Sequence, residues 1–367
     1  MIEHLSSLSL RQKIGQLLFI GIAGPELDVV THKLLDEVSP GGVCLFARNI
    51  KEAGQTRRLL DEIRSIIPVV PFLSLDQEGG LVDRLRRIMT PMPAASKLQS
   101  ADDATELAGI IGETLRILSF NMNFAPVVDV TDEDRAKYSN GLFSRTYGRS
   151  RKDVTEFAGE FLRALQENGI VGCLKHFPGL AAARVDSHED LPVVAISEDE
   201  LNKIDLFPYH HLLTSAEVEA IMVAHATFQM HRLQETDQSG KLLPSSLSYG
   251  FVTTLLRGEL QFDGLVITDD LEMGAIVKNY GIGDACKMAI LAGVDMLAIC
   301  ADPNAVREGF NAVLKAVEHG EISHERLEIS LERIAAVKKE LSEPLPFETG
   351  RLAQLSDKVA ELNARLD

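Results

Sequence analysis

Short apolar runs alternate with amphipathic segments along most of the chain. We count eight such runs, at residues 17–24, 41–49, 70–79, 121–130, 172–179, 220–228, 264–271 and 296–302. Segments with apolar residues at i, i+3 and i+4 lie between them, for example 102–118 and 151–167. Near-continuously apolar strands that alternate with helices predict a parallel sheet buried on both faces. Eight such units predict an α/β fold, a single (β/α)8 barrel.

The two ends of the chain are predicted to be helical. Ser9 followed by Gln12 fits a capping box at the start of a helix. Beyond residue 302 lie two helical segments, 303–319 and 322–341, and then a polar helical stretch at 350–366. We found no linker and no repeat beyond the β/α alternation. We therefore predict one catalytic barrel domain over residues 1–341, and a polar helical tail over 342–367.

Polar residues gather at one end of the predicted strands. They fall at or near the carboxyl ends of the apolar runs, whereas the amino ends are mostly Gly, Ala, Val or Leu. The polar residues are Asp76, Gln77, Glu78, Asp129, Lys175, His176, His225, Asp269 and Asp270. Active sites of such barrels are built at the carboxyl ends of the strands. The pattern predicts an active site there, although strands can also become polar simply where they enter loops.

Composition narrows the classes of partner. The net charge is −17 with no block of Lys or Arg, which makes nucleic acid and anionic lipid poor partners. The four cysteines show no metal-ligand or CxxC spacing, so we expect buried free thiols in a reducing compartment. No apolar stretch approaches the roughly 20 residues that a membrane span needs. We expect a cytoplasmic protein that acts on a small molecule as a monomer or weak homo-oligomer.

Two consecutive aspartates end the seventh predicted strand, in VITDDLEM at 266–273. A carboxylate at a barrel mouth can be a nucleophile, a general base or a metal ligand, whereas an aspartate there can also merely cap the next helix. Neighbours in a strand point to opposite faces. We therefore expect one of Asp269 and Asp270 to be catalytic and the other to be structural.

The segment 174–192, LKHFPGLAAARVDSHEDLP, offers a second candidate. Asp186 and His188 share one side of an extended loop, where the aspartate can orient the imidazole as a proton donor near pH 7. Most D-x-H patterns are only surface loops. Lys175 can also suggest a Schiff-base lysine. No phosphate-binding loop, dinucleotide fingerprint or zinc-ligand spacing occurs, so we expect no cofactor and no metal.

A third candidate lies in LDQEGGLVDRL, residues 75–85. The carboxylate of Asp76 can accept hydrogen bonds from adjacent sugar hydroxyls. Arg84 can be either a substrate clamp or the counter-ion of Asp76, and the residues alone do not separate these two roles.

Taken in order, these segments resemble glycoside hydrolase family 3. The resemblance rests on IGQLLFIGIAG, GGVCLFARNI, LDQEGGLVDRL, NFAPVVDV, KHFPG, DSH, VAHATF and ITDDLEM, and runs from about residue 8 to 340. The chain is most similar to the β-N-acetylglucosaminidase branch, whose bacterial members trim cell-wall fragments during recycling. The resemblance implies a (β/α)8 barrel that hydrolyses glycosides with retention through a covalent glycosyl-enzyme.

The resemblance also implies residue roles. It makes Asp269 the nucleophile, and Asp186 with His188 the acid/base dyad. The implied sugar-binding residues are Asp76, Arg84, Lys175, His176 and Arg145, the last in SRTYG at 144–148. A histidine then replaces the second carboxylate that glycosidases commonly use.

The chain departs from the family after KHFPG. Family members usually continue with His-Gly and polar residues, whereas Leu180-Ala181-Ala182-Ala183-Arg184 stands here, and 131–143 also differs. We expect a stiffer loop and an altered substrate preference, with the dyad spacing unchanged. Three alternatives stay open: another β-glycosidase such as a glucosidase or xylosidase, a catalytically weakened sugar-binding barrel, and catalysis by phosphate instead of water.

Overall fold

Eight parallel strands close into a barrel in the computed structural model, which describes residues 5–138, 142–183 and 191–367. Each strand pairs with its neighbours in chain order, and the last pairs with the first. The strands are β1 Leu18–Gly21, β2 Gly42–Leu45, β3 Phe72–Leu75, β4 Met122–Asn123, β5 Val171–Phe177, β6 Ala220–Val223, β7 Leu265–Asp270 and β8 Met296–Ile299. Every predicted apolar run contains one strand of the barrel, so the predicted barrel is confirmed.

Helices surround the barrel. The first, α1 Leu10–Gln16, precedes β1, and one longer helix lies after each strand. These are α2 Val29–Val38, α3 Ala53–Ile66, α4 Ala101–Ile117, α5 Arg151–Glu167, α6 Phe207–Ser215, α7 Gly250–Glu259, α8 Ile282–Ala292 and α9 Pro303–Glu318, of which α7 has π-type hydrogen bonds. Two more helices follow, α10 His324–Lys339 and α11 Thr349–Leu366. The predicted capping box is present, because Ser9 and Gln12 bond reciprocally at the start of α1.

Aromatic side chains fill the barrel interior below its carboxyl end. The Phe19 ring on β1 stacks on Phe72 of β3 with centroids 5.8 Å apart, and meets Phe124 edge-on at 5.2 Å. Gly42 on β2 leaves room for Phe19, since a Cβ there would lie 2.3 Å from the ring. The barrel is therefore a packed core, and a ligand can enter only at its ends.

The C-terminal helix α11 is amphipathic and packs on α4. Its buried residues are Leu352, Leu355, Val359 and Leu362. Both ends of the helix carry ion pairs to α4: Arg351 bonds Glu113 through two nitrogens, and Arg365 bonds Glu106 at 2.6 Å. The domain division at residue 341 stays a prediction.

Among the described residues, no helix combines the length and the apolar character that crossing a membrane requires.

Candidate active site

One cavity opens at the carboxyl end of the barrel. It is lined by Cys44, Phe46, Asp76, Val82, Arg84, Phe124, Leu142, Arg145, Lys175, His176, Leu180, Met222, Asp269, Asp270, Met273, Ala298 and Cys300. These residues come from β2, β5, β6, β7 and β8 and from the loops that follow strands. The structure thus brings together six of the predicted site residues, namely Asp76, Arg84, Arg145, Lys175, His176 and Asp269, with Asp270 beside them.

A buried lysine forms the centre of the charge network. The ammonium of Lys175 lies 2.7 Å from Asp76 Oδ1 and 2.7 Å from Glu78 Oε1. Burial opposes ionisation of Asp76, but the adjoining cations Lys175 and Arg84 outweigh it and hold the pKa of Asp76 well below its usual range. Burial also disfavours the ammonium form of Lys175, yet the two carboxylates raise its pKa above the ordinary value. Lys175 is therefore a cation at neutral pH.

Glu78 is a site residue to which the sequence analysis gave no role. Both of its oxygens accept hydrogen bonds from Arg145, which donates from Nε at 2.8 Å and from Nη2 at 2.9 Å. Burial raises its pKa, but Lys175 and Arg145 outweigh burial and lower that pKa to about 2. Glu78 thereby orients both cations. Its sequence signal was its place two residues after Asp76, in a short hairpin of Gln77–Gly79 with Val82–Asp83.

Asp129 fixes the orientation of His176. Its Oδ2 accepts a hydrogen bond from His176 Nδ1 at 2.7 Å and from the backbone N–H of His176 at 3.2 Å. Because a carboxylate only accepts, Nδ1 carries the proton, and Nε2 lies 3.5 Å from Arg145 Nη2. The Lys175–His176 peptide bond is cis, and both side chains line the cavity. The sequence placed Asp129 at a strand end without assigning it this role.

Arg84 combines the two roles that the sequence left open. Its Nη2 lies 3.4 Å from Asp76 Oδ2, and the residue also lines the cavity. Its guanidinium faces the Phe46 ring at 5.8 Å, and its buried Nε has no hydrogen-bond partner among the residues that the structure describes. Arg84 is thus a counter-ion of Asp76 that also reaches the ligand space.

Both aspartates of the DD pair line the cavity. Neighbours in a regular strand point to opposite faces, and an irregular register between β7 and β8 accounts for the presence of both aspartates at one cavity. Met296 pairs with Ile267 but Ala298 pairs with Asp270, so β7 carries one extra residue across from β8. Such a bulge interrupts the alternation of side chains and re-aims them.

The two aspartates differ in their bonds. Asp269 Oδ1 accepts the backbone N–H of Asp270 at 2.9 Å, and Asp270 Oδ1 accepts the N–H groups of Glu272 at 3.0 Å and Cys300 at 3.3 Å. Burial raises the pKa of Asp270 to about 7. Asp270 thus ties the loop after β7 to the loop after β8.

His225 supports the same loop from β6. Its Nε2 lies 3.1 Å from the carbonyl oxygen of Asp270 and therefore donates, while Nδ1 lies 2.7 Å from the Ser246 hydroxyl. The side chain is buried. Like Asp129, this histidine was identified in the sequence only as a polar strand end.

The predicted acid/base pair Asp186 and His188 lies outside the described residues. The start of the unusual insert before it is described: Leu180, Ala181, Ala182 and Ala183 are all buried. The backbone N–H of Leu180 donates to Asp129 Oδ1, so the same carboxylate holds both His176 and the insert. The apolar residues thus pack against the molecule instead of presenting polar groups to the cavity.

The cysteines are free and buried. Among the residues that the structure describes, no group of three or more His, Cys, Asp or Glu side chains is arranged to hold a metal ion.

Comparison with known proteins agrees with the barrel fold. Residues 9–337 match the model of the glycosyl hydrolase family 3 N-terminal domain. A β-hexosaminidase of Pseudomonas aeruginosa is 33% identical over 292 residues, which cover 78% of this chain and 82% of the relative. Among solved structures, a family 3 β-N-acetylglucosaminidase from Paenibacillus sp. FPU-7 has a TM-score of 0.87 at 34% identity, over 97% of this chain and 69% of that one. A family 3 member from Mycobacterium smegmatis has a TM-score of 0.79 at 32% identity, over 91% and 98%.

Proposed function

Since the chain belongs to glycosyl hydrolase family 3 and is a glycoside hydrolase, we propose that it is a retaining exo-β-N-acetylglucosaminidase. Its proposed substrates are small glycans or cell-wall muropeptides with a terminal β-linked N-acetylglucosamine. The observation that carries the proposal is the position of Asp269, at the carboxyl end of β7 in a cavity with the Lys175, Asp76, Glu78 and Arg145 network. The printed names of the relatives support the choice of sugar.

In the proposed first step Asp269 attacks the anomeric carbon. The N–H of Asp270 bonds Asp269 Oδ1, which leaves Oδ2 as the attacking oxygen. The new C–O bond forms as the bond to the leaving group breaks, and His188 gives its proton to the leaving oxygen. In the second step neutral His188 takes a proton from water, the water oxygen attacks the same carbon, and Asp269 is released. Two inversions give net retention.

The remaining residues of the cavity are proposed to hold the non-reducing sugar. Asp76 is an ionised acceptor, whereas Lys175, Arg145 and Arg84 are donors, so the set matches a ring of hydroxyl groups that both donate and accept. His176 adds Nε2 as an acceptor because Asp129 holds the proton on Nδ1. We propose that these contacts position the anomeric carbon against Asp269, while Asp186 orients His188.

Hydrolysis of p-nitrophenyl β-N-acetylglucosaminide tests the proposal. Asp269→Asn should lower kcat by about 10³-fold or more, because it removes the nucleophile. Mass spectrometry of the native enzyme with a slow fluorinated substrate should show one added glycosyl group, absent from the variant. The first product seen by NMR should be the β anomer.

Two results would contradict the proposal. An α anomer as first product would exclude retention, and full activity of Asp269→Asn would exclude this nucleophile. Assays with and without inorganic phosphate decide whether water is the acceptor. The p-nitrophenyl glucoside and xyloside, measured beside the N-acetylglucosaminide, decide which sugar the cavity prefers.

A further inference from the structure

Asp270, the second aspartate of the DD pair, lines the cavity in addition to holding two loops together. Because of the bulge in β7, Asp270 lines the same cavity as Asp269. Its Oδ1 accepts both of its backbone hydrogen bonds, from Glu272 and Cys300. Among the described residues, no group hydrogen-bonds to Oδ2. The loop contacts therefore use one oxygen and leave the other available to a ligand.

The position of Asp270 is also tightly held. Its carbonyl oxygen accepts from buried His225, and its N–H donates to Asp269 Oδ1, so its backbone and one carboxylate oxygen are fixed. A carboxylate oxygen held this way is preorganised to bind a donor without loss of side-chain freedom.

The neighbour Asp269 determines which part of a sugar can meet that oxygen. If Asp269 reaches the anomeric carbon, the group beside it faces the substituents closest to that carbon. On an N-acetylglucosamine this includes the C2 acetamido group, whose N–H is a donor without an internal acceptor. The other carboxylate of the charge network, Glu78, is already engaged, because both of its oxygens bond Arg145 and Oε1 also bonds Lys175.

We propose that Asp270 Oδ2 accepts a hydrogen bond from the substrate's 2-acetamido N–H and thereby selects 2-acetamido sugars over sugars with a C2 hydroxyl. This assignment rests on the proposed function, because it assumes that Asp269 faces the anomeric carbon. Burial raises the pKa of Asp270, and a hydrogen bond that a ligand donates to Oδ2 would favour the ionised form.

Asp270→Asn is the matched test, because an asparagine keeps an acceptor oxygen for Glu272 and Cys300 but replaces Oδ2 by an amide donor. Glu272→Gln is its control. Glu272 joins the same two loops by accepting the N–H groups of Ala301 and Asp302, but it does not line the cavity. Thermal melting verifies that both variants fold.

The measured quantity is the ratio of kcat/KM for the p-nitrophenyl N-acetylglucosaminide to that for the glucoside. We expect Asp270→Asn to lower this ratio by about 10- to 100-fold, the usual effect of a hydrogen bond to a charged group, and Glu272→Gln to leave it unchanged. The 2-O-acetyl glucoside, which lacks the N–H, should be hydrolysed by native enzyme and Asp270→Asn with similar kcat/KM. An equal loss on all three substrates would overturn the proposal in favour of a positioning role, and an unchanged ratio would overturn it outright.

A binding measurement tests the role of Asp270 independently of whether the protein hydrolyses glycosides. Calorimetry with N-acetylglucosamine and glucose should give a binding preference in the native protein that Asp270→Asn reduces, even if neither glycoside is hydrolysed. Absence of hydrolysis with that reduced preference would sink the proposed activity and keep Asp270 as a selector. A preference that survives Asp270→Asn would sink the inference alone.

Discussion

At the scale of single residues, charged groups are buried far from the cavity as well as within it. The ammonium of Lys338 on α10 is buried, donates to Gln16 Oε1 at 2.7 Å, and lies 5.3 Å above the Phe72 ring. No carboxylate pairs with it among the described residues. Burial lowers its pKa to about 7.

Replacing Lys338 by Met should stabilise the protein at neutral pH by an amount on the order of 2 kcal/mol. An unfolded lysine keeps its proton up to about pH 10.4, so between about pH 7 and that value the unfolded native chain binds more protons than the folded one. The stability of the native chain therefore rises with pH across this window, and the advantage of the variant shrinks.

Denaturant unfolding at several pH values measures this effect. Lys339→Met changes the exposed neighbouring lysine and should show no such dependence. A constant difference between native protein and Lys338→Met from pH 7 to 10 would mean that the buried lysine does not lose its proton there.

The contribution of Asp129 to substrate binding can also be measured by a single substitution. Asp129→Asn should lower kcat/KM by about 10- to 100-fold, mainly through a higher KM, because asparagine cannot accept from both His176 Nδ1 and the two backbone N–H groups as the carboxylate does. Asp132→Asn, in the same loop but outside the cavity, is the control. A loss of kcat at constant KM would show that His176 does not act through sugar binding.

At the scale of elements, sequence pattern predicted the strands and the longer helices because burial on both faces leaves an unbroken apolar signal. The bounds were less predictable: β4 is only Met122–Asn123, although its apolar run spans 121–130. Contacts between distant segments left no local signal. Three features depend on a partner in another strand or loop: the β7 bulge, the hydrogen bonds of Asp129 and the ion pairs of Glu78. The sequence therefore identified these residues as polar strand ends but did not predict their roles.

Helix α11 shows the same limit. Its polar composition suggested a tail, yet Leu355 is buried against the molecule. Leu355→Ala should destabilise the protein by about 2–4 kcal/mol, since it leaves a cavity under the helix, and should leave KM unchanged. Gln354→Ala on the exposed side is the control. Denaturant unfolding measures the difference, and an effect below about 1 kcal/mol would mean that the helix is not part of the cooperative unit.

At the scale of the whole molecule, the barrel separates stability from chemistry between its two ends. Buried Asp295, just before β8, accepts from Arg257 at 2.6 Å, from the N–H of Val266 at 3.0 Å and from Ser330 at 2.9 Å. These contacts join α7, β7 and α10 at the amino end of the strands. At the carboxyl end, Asp269 and Asp270 both line the cavity, and Asp270 also accepts backbone hydrogen bonds from the loops after β7 and β8.

We therefore expect replacement of an aspartate by asparagine to affect stability at the amino end of the barrel and activity at its carboxyl end. Asp295→Asn should lower stability by about 3–5 kcal/mol, because it breaks a buried charge network, while the folded fraction keeps its KM. Asp269→Asn should lower kcat by about 10³-fold or more. It should leave the melting temperature equal or higher, because it relieves repulsion with Asp270. Melting curves measure the stability of both variants, and kinetic constants calculated per folded enzyme measure their activity. If Asp295→Asn does not express, Ser330→Ala gives a milder form of the same test, with an expected loss near 1 kcal/mol. A lower melting temperature for Asp269→Asn would show that the nucleophile also holds the barrel together, and the separation between the two ends would not hold.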